Sequence, residues 1–148
     1  AIDVLGDVTV PASVHQAKFS MGTTLGLLAC RGSADMAIFE TDFAAPDVQD
    51  FSRRVRMVLD PEIDAAYPKK WIGKVELTLK DGRRLLRLVR DPKGDPENTL
   101  TRPEIDRKVR SLNAFGGSLS SAALEKTLDD LWRIGTANRV GPLINHRV

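Results

Sequence analysis

The sequence predicts an α+β fold, a small antiparallel sheet with a hairpin packed against several helices, and three observations lead there. Apolar residues recur every three or four positions around Val48, Ile105 and Leu124, the period of helices with one buried face. Val75, Leu77 and Leu79 alternate with Lys74, Glu76 and Thr78 ahead of Asp81-Gly82, a dipeptide suited to a tight hairpin turn. Thr101 and Glu104 stand at the spacing of a capping box, which starts a helix.

Along the chain, Ile2, Val4, Leu5, Val8 and Val10 predict a strand over residues 2–10 that stops at Pro11. Residues 17–30 are apolar on nearly every side (Phe19, Met21, Leu25, Leu27, Leu28) and predict one buried helix closed by Gly32. A helical turn is expected within residues 33–43. Pro46 then opens a helix whose Val48, Phe51 and Val55 face inward while Asp47, Asp50, Arg53 and Arg54 face water. Met57 and Leu59 suggest a short strand ending at Pro61, and residues 62–70 read as a loop.

A two-residue turn at Asp81-Gly82 pairs Leu77 with Leu86 and Val75 with Leu88 on one buried face, with Glu76 meeting Arg87 on the other. Residues 91–100 hold three turn formers and form a loop. The helix from the capping box carries Ile105, Val109 and Leu112 and ends at Gly116-Gly117. A last helix over 120–134 aligns Leu124, Leu128, Leu131 and Trp132 and stops at Gly135, leaving residues 136–148 as an irregular tail.

Composition narrows the function. The 148 residues are 42% hydrophobic and 28% charged, values of a globular chain with its own core. Twenty-two basic against twenty acidic side chains leave +2 with no basic stripe, so nucleic acid is not an expected partner. No apolar run is long enough to span a bilayer, and no membrane association is expected. The chain opens on Ala1 and not on Met, and reads as part of a longer polypeptide.

Chemistry-bearing patterns are few. The single cysteine, Cys30, lies in an apolar run and reads as a small buried hydrophobe in a reducing, cytoplasmic compartment. His15 and His146 are far apart in sequence and belong to no ligand motif, so no metal is expected. Neither a dinucleotide fingerprint nor a phosphate loop occurs, which leaves no nucleotide cofactor to expect. Two polar groups remain. Arg83, Arg84, Arg87 and Arg90 crowd one strand, as edge strands do to discourage aggregation. His15, Lys18, Ser20, Thr23 and Thr24 line the first helix, where a polar face either bonds a neighbouring element or meets an anion.

The order of segments carries a resemblance. AKFSMGTTLGLLACRG (17–32), Phe39, PDVQDFSRRVRMVLDPE (46–62), VELTLKDGRRL (75–85) and DPKGDPENTLTRPEIDRKVRSL (91–112) together resemble the C-terminal region of the MmgE/PrpD family. The family includes 2-methylcitrate dehydratase, cis-aconitate decarboxylase and iminodisuccinate epimerase. Its most specific part here is the loop from Pro92 to Pro96 leading into a helix.

The resemblance implies a lid domain over residues 1–115, with 116–148 returning towards an N-terminal helical domain outside this chain. It further implies homodimers and small di- or tricarboxylic acid substrates, with a proton abstracted next to a carboxylate and no metal or organic cofactor. Most catalytic side chains are implied to belong to the helical domain. The family's Lys-Phe-Ser is kept at Lys18, Phe19 and Ser20, but its following Leu-Pro-Tyr is replaced by Met21, Gly22 and Thr23. The phenol is therefore lost at Thr23, and Lys18, Ser20 and Thr23 become the expected substrate-binding residues.

The expected function is the lid part of a dehydratase or decarboxylase, with an epimerase next, inactive as an isolated chain. The alternative is a stand-alone binding or assembly module that keeps the fold without catalysis.

Overall fold

The computed structural model describes residues 8–138, which hold seven α-helices and a two-stranded antiparallel sheet. The chain is an α+β protein. Contacts gather it into two units, divided between Thr99 and Leu100, and each is described by itself.

In the first unit the apolar run of residues 17–30 forms two helices and not one. Helix α1 (Val14–Lys18) ends at Phe19, and α2 (Met21–Arg31) begins after Ser20, whose hydroxyl accepts the Thr23 N–H at 3.1 Å. Ser13 caps α1 through the Gln16 amide and Ser20 caps α2 through the Thr23 amide, so the second side-chain bond sets the break. Phe19, Met21 and Leu28 are consequently exposed, whereas Leu27 is fully buried. Gly32 ends α2 with φ 75°, a left-handed conformation that suits glycine.

Helices α3 (Met36–Asp42) and α4 (Pro46–Ser52) follow, the first capped by Asp35 and the second opened by Pro46 at its first turn. Ala17, Leu27, Phe39 and Val48 meet as the buried core, with Val14, Cys30, Ile38 and Phe43 packed against it. Cys30 is thus part of the packing. Burial of a residue such as Leu27 is worth roughly 1.5–3 kcal/mol, so these four side chains do much of the work of joining α1 to α4.

Three further expectations fail between residues 8 and 70. The predicted strand at 2–10 is not formed by residues 8–10, and residues 2–7 lie outside the described residues. No strand forms at Met57 to Leu59, where Val58 and Leu59 stay exposed. The loop expected after Pro61 is instead helix α5 (Pro61–Ala66), because Asp60 caps it through the amides of Glu62 and Ile63 and Pro61 supplies a preset first turn.

Strands β1 (Gly73–Thr78) and β2 (Arg84–Val89) form the hairpin, one residue out of the predicted register. Leu77 faces Leu85, Val75 faces Arg87 and Glu76 faces Leu86. The turn explains the slip. The Gly82 N–H donates to Leu79 O at 3.0 Å and the Leu79 N–H to Arg83 O at 2.8 Å, so Lys80, Asp81 and Gly82 make a three-residue loop with Gly82 at φ 82°. Asp81 reinforces it by accepting the Arg83 N–H at 3.0 Å. A one-residue slip moves a strand's side chains to the other face. Val75 and Leu77 therefore lie opposite in face to Leu86 and Leu88, all four are exposed, and Glu76 pairs with Arg84 instead of Arg87.

A 3₁₀ turn at Pro96–Asn98 completes the predicted loop, which Lys70 braces through Asp91 at 2.6 Å and Glu97 at 3.4 Å.

The second unit is a pair of helices, α6 (Arg102–Gly116) and α7 (Ser121–Arg133). The Glu104 carboxylate accepts both the N–H and the hydroxyl of Thr101 at 2.7 Å, and Gly117 ends α6 with φ 64°. Leu124 and Leu128 are buried, Arg110 grips Glu125 with two bonds of 2.7 Å, and Leu131 and Trp132 remain largely exposed. Among the described residues, no helix is long and apolar enough to cross a membrane.

Candidate functional site

The three expected substrate-binding residues cluster at the corner between α1 and α2, but they differ in what they offer a ligand. Ser20 is 1% exposed and its hydroxyl is fully committed. It donates to Val8 O at 2.5 Å and accepts both the N–H and the hydroxyl of Thr23, at 3.1 and 3.0 Å. Thr23 is equally buried. One donor and two acceptor positions are all that a serine hydroxyl has, so a substrate reaching Ser20 must break a bond already made.

The role of this polar pair is visible in what it holds. Ser52, at the end of α4, donates to Thr9 O at 3.1 Å, so hydroxyls from two helices grip the consecutive carbonyls of Val8 and Thr9. Buried serines and threonines without partners would destabilise the corner, and among the described residues no buried side-chain polar atom lacks one. Nothing in the spacing of the sequence pointed to Ser52 as a member of this group.

Lys18 is the accessible member. Its side chain is 30% exposed, and its ammonium lies 3.6 Å from the Glu40 carboxylate of α3, which is 44% exposed. Of the remaining polar residues singled out from the sequence, Thr24 returns its hydroxyl to Ser20 O at 3.0 Å. His15 packs its ring against Phe19, centroids 5.1 Å apart. His146 lies outside the described residues.

A second charged centre ties the helical layer together. Arg31, at the end of α2, bonds Asp42 at 2.7 Å and Asp47 at 2.7 and 3.1 Å. The bonds from Asp47 first and Asp42 second raise the Arg31 pKa. In return Asp47 titrates below the usual carboxylate range because of Arg31, and Asp42 does so through its Thr41 hydrogen bond and then Arg31. One guanidinium holds two carboxylates and is fully occupied by them, so the centre reads as a clamp between helices and not as a binding site.

A cleft of about 380 Å³ opens between α5 and the face of the hairpin that carries Leu86 and Leu88. Its floor is apolar, with Ile63 and Ile72, and its rim carries Asp60, Glu62, Lys74 and Arg90. Lys74 is already bonded to Asp60 at 2.7 Å, which raises its own pKa and lowers that of Asp60. One of the two rim cations is thereby neutralised, and with Glu62 beside Arg90 the rim charges sum to zero.

Among the described residues, no group of three or more His, Cys, Asp or Glu side chains is placed to hold a metal ion. Comparison with known families finds the MmgE/PrpD C-terminal domain over residues 1–134. No curated protein and no solved structure matches the chain.

Proposed function

The chain belongs to the MmgE/PrpD family, and from that premise we propose that it is the lid part of an enzyme acting on small di- or tricarboxylic acids by proton abstraction next to a carboxylate. The observation that carries this reading is the family match across residues 1–134, of which the described part includes the Lys18 corner.

In this reaction class negative charge develops on the substrate as the α-proton leaves, and a positioned cation stabilises it. Lys18 supplies one such cation. Ser20 and Thr23, with their hydroxyls used internally, hold the corner that presents Lys18 and do not touch substrate themselves. The general base and the remaining carboxylate contacts come from the N-terminal helical domain that the family resemblance implies. The same resemblance supports a metal-independent and cofactor-independent reaction, a homodimer and a cytoplasmic setting. Dehydration or decarboxylation is favoured over epimerisation.

The test is to assay the polypeptide that carries this domain against 2-methylcitrate, cis-aconitate and iminodisuccinate. Turnover of one of them identifies the reaction, and turnover of none sinks the proposal. The isolated 148-residue chain is expected to be inactive on all three. A second reading, a binding or assembly module without chemistry, is favoured by the internal use of the Ser20 and Thr23 hydroxyls. It predicts an inactive parent polypeptide as well.

A further inference from the structure

We propose that the cleft between α5 and the hairpin binds a free α-amino acid with a large aliphatic side chain, its ammonium facing Glu62 and its carboxylate facing Arg90. The proposal does not depend on Lys18 contacting substrate. The register of the hairpin builds this site. Alternate residues of a strand share a face, so Leu86 and Leu88 of β2 and Arg90 just beyond it line the cleft together, and Lys74 joins them because it pairs with Leu88. From α5, Ile63 and Ala66 lie one turn apart, and Glu62 precedes Ala66 by four residues, so the three share the side of the helix that closes the cleft. A volume of about 380 Å³ is that of a small-ligand site.

The rim charges are of two kinds. Lys74 and Asp60 bond each other at 2.7 Å and are used as a pair. Glu62 and Arg90 make no side-chain hydrogen bond or ion pair among the described residues, although Glu62 attracts Lys74 at longer range. One unpaired anion and one unpaired cation over an apolar floor complement a zwitterion with an aliphatic chain. A dicarboxylate gains at Arg90 and is repelled at Glu62, whereas an amino acid gains at both. The guanidinium also matches a carboxylate with two parallel donors. Ile63, Ile72, Leu86 and Leu88 offer the side chain aliphatic contact and no hydrogen-bonding group.

The test is a titration of the polypeptide that carries this domain, followed by NMR of the methyl groups of Ile63, Ile72, Leu86 and Leu88, which locates binding in the cleft. The probes are leucine, 4-methylpentanoate, which lacks the ammonium, leucinamide, which lacks the carboxylate, and glycine, which lacks the side chain. At about pH 6 the amine of leucinamide is protonated. Leucine is expected to shift the four residues saturably and to bind about 3- to 10-fold more tightly than each of the other three, the modest factor reflecting an open rim. The absence of a saturable shift with leucine overturns the proposal. Equal binding of leucine and 4-methylpentanoate also overturns it, leaving the cleft as an apolar recess beside a cation.

Glu62→Gln should abolish the preference for leucine over 4-methylpentanoate and keep the preference over leucinamide. Arg90→Gln should do the reverse. A preference that survives loss of its assigned partner overturns that assignment of the charges. Both variants are expected to keep the wild-type melting temperature, since neither side chain is bonded within the fold, and the wild-type probe series decides the proposal even if one of them does not.

Discussion

A Cβ atom placed on Gly22 would stand 2.5 Å from the Ser52 hydroxyl oxygen and 3.0 Å from the Ser52 carbonyl oxygen. One turn further along α2, Gly26 meets α4 in the same way, its Cβ position lying 2.8 Å from Val48 O. The two glycines therefore let α2 and α4 approach closely, and that approach puts Ser20 and Ser52 within reach of Val8 and Thr9. Gly22→Ala and Gly26→Ala should each lower stability by roughly 1–3 kcal/mol, despite alanine's better helix propensity, because the added methyl meets backbone as well as side chain. Chemical denaturation measures this. An unchanged or raised midpoint for both variants rules out the tight α2–α4 contact.

The hairpin turn makes an independent prediction. Gly82 sits at φ 82°, so Gly82→Val should destabilise the protein by at least about 1 kcal/mol, a β-branched side chain being strongly disfavoured there. The register itself can be read by NMR from cross-strand contacts. Val75 is expected opposite Arg87 and Leu77 opposite Leu85. Contacts of Val75 with Leu88 and Leu77 with Leu86 would instead restore the two-residue turn.

These two sites show where the sequence was legible. Local signals written in adjacent residues translated directly: Gly32 and Gly117 end helices, Thr101 and Glu104 start one, and the alternation from Lys74 to Leu79 makes a strand up to Thr78. Errors arose where two local signals competed. Ser20 lies inside an apolar run that favours one long helix, yet its hydroxyl captures the Thr23 amide and divides the run. At the turn, Asp81-Gly82 fits two loop lengths, and the Asp81 bond to Arg83 belongs to the longer one. The Lys18–Glu40 pair and the Ser52 latch join residues 22 and 43 positions apart, a separation at which a single sequence carries no pairing signal.

The Arg31 clamp predicts how stability depends on pH. Asp42 and Asp47 have folded-state pKa values below those of unfolded aspartates, near 3.9, so their contribution is fully present above that value. It is lost as pH falls through the lowered folded-state values. Asp47→Asn should therefore lower the melting temperature at pH 7, and the difference from wild type should shrink steadily below about pH 4. A melting difference that persists undiminished to pH 2 means that Asp47 acts through packing and not through its charge.

In the second unit, Trp132 joins α7 to α6 in two ways. Its indole N–H donates to Asp106 Oδ1 at 2.7 Å, and the Arg102 guanidinium stands 4.8 Å from the ring centroid. Trp132→Phe alone cannot isolate the hydrogen bond, because it also removes ring area and weakens the contact with Arg102. A double-mutant cycle with Asp106→Ala subtracts those shared losses and leaves the coupling between the two side chains. A charged acceptor makes this bond stronger than a neutral one, but partial exposure returns both groups to water when it breaks, so the expected coupling is about 1 kcal/mol. Leu124 and Leu128, buried in α7, should hold the helix formed in all three variants, which circular dichroism can verify. A coupling indistinguishable from nil would show that Trp132 contributes through its ring alone, and that the Asp106 bond does not help fasten α7 to α6.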